Sequence, residues 1–148
     1  MSLMRRTALL ALVLAVASCG PDPGAQERAA RTKVFTDLSQ PDMAVVVGPA
    51  VMQSNFAMVD WTRGSFRGGR TLLRRDGKDW TMILCGGKPL TERTVLEAAG
   101  VPEAAADGLV SKLLREEGRL DSSRRDQFDK WEGLGAPRGV TCPEPQEQ

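Results

Sequence analysis

The longest apolar stretch of the chain, Ala8–Ala17 (ALLALVLAVA), stands near its start and is ten residues long. A helix needs roughly 20 apolar residues to cross a bilayer, so this run reads as the h-region of an export signal rather than a stable span. Arg5 and Arg6 supply the positive segment before it. Beyond it the pattern becomes that of a folded domain. Ala30, Val34 and Leu38, four apart with Phe35 beside them, predict a helix from Ala25 to about Leu38. Ser39-Gln40-Pro41-Asp42 ends it, because proline disfavours helix in the residue before it.

The periodicity then changes to that of strands. Ala44–Val47 is a short β-branched run that Gly48-Pro49 breaks or bulges before Val51, and Gln53-Ser54-Asn55 turns. From Phe56 to Thr62 the chain alternates, with Ala57, Val59 and Trp61 on one face and Phe56, Met58 and Asp60 on the other. Arg63-Gly64 turns again, and Gly68-Gly69 opens a strand that runs to Arg75. Asp76-Gly77 predicts a type I′ hairpin. The returning strand, Lys78–Cys85, sets Trp80, Met82 and Leu84 opposite Thr81, Ile83 and Cys85. Tight connections between successive strands predict a four-stranded antiparallel meander.

The last third is helical. Thr91 caps a helix to Ala98 that Gly100 ends, and Pro102 opens a longer one with Ala106, Leu109, Val110, Leu113 and Leu114 on its apolar face. Gly118 stops it. Asp121 or Ser122 starts a final helix that buries Phe128 and Trp131 and ends at Gly133 or Gly135. Strands followed by helices, without alternation, predict an α+β domain: an N-terminal helix, the meander, then two to three helices. Its span is 25–142, with Gly20–Gly24 as a flexible tether before it and 143–148 as a disordered tail.

Two processing schemes fit the residues after the apolar run. One is ordinary cleavage after Ala15-Val16-Ala17. In the other, Val16-Ala17-Ser18-Cys19 acts as a lipobox, with Cys19 acylated and residues 1–19 as a lipoprotein signal. Cysteine arithmetic favours the second. The chain has three cysteines; with Cys19 acylated, Cys85 and Cys142 remain as a pair for a disulfide in an oxidising compartment. The expected location is the periplasm, with the lipid anchor in the outer membrane, since Gly20 follows Cys19 in place of the aspartate that retains lipoproteins in the inner membrane.

The full chain carries a formal charge of +1, and loss of Arg5 and Arg6 leaves 18 basic against 19 acidic residues. No basic run points to nucleic acid. The chain has no histidine and no tyrosine, which removes Ser–His and Cys–His nucleophiles and any His-containing zinc site. The expectation is a protein that is not an enzyme. Asp60, among apolar strand residues, is the one odd carboxylate; it is read as an edge or half-exposed strand position or as the buried partner of an arginine such as Arg70 or Arg74, with an enzyme using Asp60 and Arg70 as the competing reading. Glu116-Glu117 are read as solvent-exposed. Gly68-Gly69-Arg70 is read as a strand bend rather than an anion cradle. Thioethers select Cu(I) where thiolates are scarce, so Met52, Met58 and Met82 are the candidate metal ligands, weighed against the usual role of Met as core filler.

The segments Val59-Asp60-Trp61-Thr62-Arg63-Gly64, Gly68–Arg74, Gly77-Lys78-Asp79-Trp80, Ile83-Leu84-Cys85 and Leu96–Pro102 resemble small exported alphaproteobacterial proteins described as copper uptake system-associated proteins. The resemblance runs from the first helix to Trp131-Glu132-Gly133. It implies a non-enzymatic accessory of copper uptake or delivery, membrane-held by its lipid, whose partner is a copper transporter or a periplasmic copper carrier. It supplies no ligand motif, and copper is the only cofactor it raises. The alternative is an envelope-structure or ligand-binding domain of cystatin-like shape with no metal role.

Overall fold

The computed structural model describes residues 20, 22–65, 67–131, 134–135 and 142, so the export signal, the expected lipidation at Cys19 and the tail 143–148 lie outside the described residues. The first helix, α1 (Pro23–Leu38), begins two residues earlier than the apolar spacing predicts and takes in part of the expected tether. Local chemistry accounts for this. The Asp22 carboxylate accepts from the backbone N–H of Gly24 and Ala25, and Pro23 occupies the first helical position, where its missing N–H costs nothing. Ala30, Val34 and Leu38 are buried as expected, while Phe35 is exposed.

The meander follows as β1 (Val45–Gln53), β2 (Phe56–Arg63), β3 (Arg67–Asp76) and β4 (Asp79–Gly86), every neighbour antiparallel. A fifth strand extends the expected four: β5 (Leu134–Gly135) pairs with Cys85 and Gly86 at the β4 edge. Two residues carry no readable alternation, so the sequence offers no sign of it. The β3–β4 hairpin turns one residue later than Asp76-Gly77 implies. Asp76 pairs with Asp79, leaving Gly77-Lys78 as the loop. Only Gly77 has positive φ, the arrangement of a type II′ turn with glycine at its first central position.

Two bulges set which side chains share a face. In β1 the register shifts between Val47 and Ala50, so Gly48 and Pro49 together oppose Asp60. In β4, Leu73 pairs with Met82 and Leu72 with Leu84, which leaves Ile83 as the extra residue. That extra residue reverses the phase of the strand end. Cys85 therefore joins Trp80 and Met82 in one core cluster instead of facing away from them, and Leu84 joins Ile83 against the opposite cluster.

The sheet thus separates two cores. On one side α1 packs over Ala57, Val59, Trp61 and Leu73, joined by Trp131 and the Cys85–Cys142 disulfide. On the other, a 3₁₀ turn (Lys88–Thr91), α2 (Arg93–Ala98) and α3 (Glu103–Glu117) cover Val51, Phe56, Met58 and Leu72. Thr91 does not cap α2; its hydroxyl donates to the Lys88 carbonyl within the 3₁₀ turn. The buried stripe of α3 is Ala105, Ala106, Leu109, Leu113 and Glu117, so Leu114 falls outside it and is 49% exposed. α4 (Ser122–Phe128) starts at Asp121 as expected but stops before Trp131.

From Phe128 to Trp131 the chain changes from one face of the sheet to the other, passing tightly over β3. A Cβ on Gly68 would stand 2.6 Å from the Gln127 carbonyl oxygen and 2.9 Å from that of Trp61, both backbone, so only glycine leaves room. Beyond this crossing the disulfide ties Cys142 to β4. It closes a loop with a sequence separation of 57, for which chain entropy gives about 4 kcal/mol. Replacing Cys85 and Cys142 together by alanine is expected to lower unfolding free energy by about that amount, measured from urea denaturation; a loss below about 1 kcal/mol would show that the loop is already held by its noncovalent contacts.

Candidate functional site

A group of charged side chains lies inside the molecule, between the sheet and the α3–α4 layer. Arg70 lies directly across the β2–β3 ladder from Asp60, and both point to the helical side carrying α3 and α4. Arg70 is 2% exposed, Asp60 0% and Glu117 5%. Arg70 Nε and Nη2 donate to the two Glu117 oxygens at 2.8 and 3.0 Å, the bidentate geometry that suits a guanidinium. Its Nη1 donates to Asp129 Oδ1 at 2.6 Å and to the Phe128 carbonyl at 3.3 Å. One cation on β3 therefore holds the end of α3 and the end of α4 together.

Glu117 needs that cation. It is the last residue of α3, where the helix dipole already disfavours negative charge, and it is buried. Asp60 has no comparable support. Its Oδ1 is 3.8 Å from Arg70 Nε, no donor of the surrounding residues reaches either of its oxygens, and the hydrogen bond open to it is the one its own proton makes to Glu117. Burial first, then the Glu117 charge, hold its carboxyl well above the usual carboxylate range, and Arg70 only partly opposes them. Burial works against the Arg70 cation too, but its hydrogen bonds to Glu117 and Asp129 outweigh it and raise the guanidinium further.

The Arg70 partnership expected for Asp60 is thus present, and Arg74 is not involved; Arg74 pairs with Asp76 at the surface. The expected exposure of Glu116-Glu117 is half right. Glu116 pairs with Arg119 on the surface, whereas Glu117 continues the 109–113–117 spacing of buried positions. That spacing is the signal by which sequence could have found it. Asp129, outside any regular element, carries no such signal.

A proton-retaining carboxyl beside a carboxylate and a guanidinium is a combination used in acid–base chemistry, which here lies under packed helices. Neither of two open surface grooves reaches it. One, about 530 Å³, runs between α1 and the β3–β4 hairpin and includes the Lys33–Asp37 ion pair. The other, about 540 Å³, lies along α4 and includes Asp121 and Arg124.

The candidate metal ligands are not brought together. Met58 is fully buried on the α3 side, while Met52 and Met82 belong to the α1 side. Met52 and Met82 are also separated along the ladder by Ala57 and Leu73, a distance of roughly 14 Å at the usual strand spacing. The physical reason is register: Met58 and Met82 would share a face only if β2, β3 and β4 paired one residue out of their present phase. Cys85 and Cys142 form the expected disulfide, with the Thr71 hydroxyl 3.9 and 3.7 Å from their sulfurs and the Trp61 indole N–H donating to that hydroxyl at 3.0 Å.

Arg70→Ala leaves Glu117 buried without its cation, and a loss of about 3–5 kcal/mol is expected from urea unfolding. A loss under about 1 kcal/mol would mean that water replaces the guanidinium at no cost. Asp60 gives a pH signature. Its carboxyl binds a proton more tightly folded than unfolded, so its contribution is greatest below pH about 4 and declines as pH rises toward the folded value. Asp60→Asn is expected to remove that decline from a series of unfolding curves between pH 4 and 8.

The chain matches no family model, and no curated protein or solved structure matches it.

Proposed function

We propose that this chain is an exported, non-catalytic accessory of copper uptake or delivery, held at the outer membrane by a lipid on Cys19, that works through contact with a copper transporter or a periplasmic carrier. The observation that supports the non-catalytic part is the enclosure of Asp60 and Arg70. Among the described residues, the arrangement with acid–base character, Asp60 beside Arg70 and Glu117, is enclosed beneath α3 and α4, and its bonds join elements of the fold to each other. The copper connection rests on the sequence resemblance. The dispersal of Met52, Met58 and Met82 over two faces and across the sheet favours contact with a protein partner over copper carried on those thioethers.

The test is cellular copper content in copper-limited medium for a strain lacking the gene, compared with strains complemented by the wild type or by the triple variant Met52→Leu, Met58→Leu, Met82→Leu. Met-to-Leu exchange conserves volume and costs under about 1.5 kcal/mol per site. Deletion is expected to lower copper content and both complements to restore it. Unchanged copper on deletion removes the copper role, leaving an envelope domain without one. Failure of the triple variant alone, with its fold intact, returns the methionines as ligands.

A further inference from the structure

We propose that α4 is a proton-operated latch: protonated Asp60 keeps the helix seated on the sheet, and loss of that proton lets residues 122–129 lift away while the rest of the domain stays folded. The case begins with the groups that face Asp60. From β3 comes Arg70, from α3 Glu117, and from the end of α4 Asp129. From β1 comes the bulge at Gly48, which brings no charge but seats the Phe128 ring, since a Cβ there would stand 3.0 Å from Phe128 Cζ and 3.2 Å from Asp60 Cβ.

With Asp60 neutral, one guanidinium serves two carboxylates, and its donors are directed to them. Ionised Asp60 adds a third negative charge to a closed space, and no donor lies within hydrogen-bond distance of its oxygens. Removing a carboxylate from the group or admitting water relieves this, and lifting α4 does both. Asp129 is the one member already in contact with solvent, its side chain 41% exposed.

The other walls cannot give way as cheaply. β2 and β3 are paired on both sides within the sheet, and α3 is 15 residues long with Leu109 and Leu113 fully buried. α4 has seven residues, too few to hold itself helical. Its buried side chain is Phe128, and its end is tied down by the Arg70 bonds to Phe128 and Asp129. The segment is also bounded by fixed points. α3 ends just before it, and Trp131 packs edge-on against Trp61 just after it, with ring centroids 5.6 Å apart. Residues 122–129 are thus a short flap between two anchors, the kind of unit that opens below the global unfolding free energy. Opening uncovers a slot floored by Gly48 and Arg70, apolar on one side and cationic on the other.

The experiment is residue-resolved amide hydrogen exchange of the disulfide-intact mature domain from pH 4 to 8, corrected for intrinsic exchange, together with the carboxyl ¹³C shift of Asp60 over the same range. One linked proton makes the opening constant of α4 rise about tenfold per pH unit until Asp60 is ionised. Protection of the Arg125 and Asp129 amides is expected to fall accordingly and to stay well below that of the β2 and β3 amides at every pH, with the plateau at the Asp60 titration midpoint. In Asp60→Asn the α4 profile is expected to be flat. The proposal is overturned if the α4 amides are as protected as those of the sheet, so that the helix opens only with the whole domain, if Asp60→Asn keeps the wild-type profile, or if the Asp60 midpoint and the α4 plateau do not coincide.

Discussion

Arg70 is the only buried cation on the α3–α4 side among the described residues that joins three separate elements, and much of the packing there follows from it. A guanidinium in the interior is costly unless each of its donors is used. Meeting that condition draws the end of α3, the last carbonyl of α4 and Asp129 to one point over β3. Helix packing on a flat sheet is otherwise tolerant of sliding, because apolar contacts have no direction. The bidentate bond to Glu117 has one, and it fixes where α3 ends relative to the central strands.

The same directionality explains why the site is uneven. Arg70 spends its donors on Glu117, Asp129 and Phe128, so Asp60, though directly across the ladder, is left with the guanidinium as a charge neighbour but with no hydrogen bond from it. The bulge opposite it, at Gly48-Pro49, widens β1 just enough for the Phe128 ring to enter. Apolar enclosure on one side and a satisfied ion pair on the other leave a carboxyl whose neutral form is favoured. Stability of the domain and sensitivity of this corner to protons come from one arrangement.

The order of helix, meander and helices was legible because each element repeats its pattern over several turns or residue pairs: Ala30, Val34 and Leu38 in α1, and Ala57, Val59 and Trp61 in β2. The disulfide was legible through the pairing of cysteines, not through their spacing. What the alternation misjudged lies at the bulge in β4. A single extra residue, Ile83, has no signature of its own among apolar neighbours, yet it turns Cys85 toward α1 and so decides which core the disulfide joins. In the site, Asp60 stands out as a charge in an apolar strand; of the two readings open to it, a half-exposed position or the buried partner of an arginine, the second holds. Glu117 was hidden by a rule of thumb, since paired glutamates at a helix end are commonly solvated. Only the spacing from Leu109 and Leu113 contradicts it.

The early start of α1 has a consequence for where the domain sits. Asp22 caps the helix and Pro23 begins it, so three residues separate Cys19 from the folded body. A fully extended chain of that length reaches about 10 Å. An acylated Cys19 would therefore leave the domain no stalk. It would rest against the headgroups, turning within the plane but unable to rise from it, and any partner would have to meet it at the membrane surface.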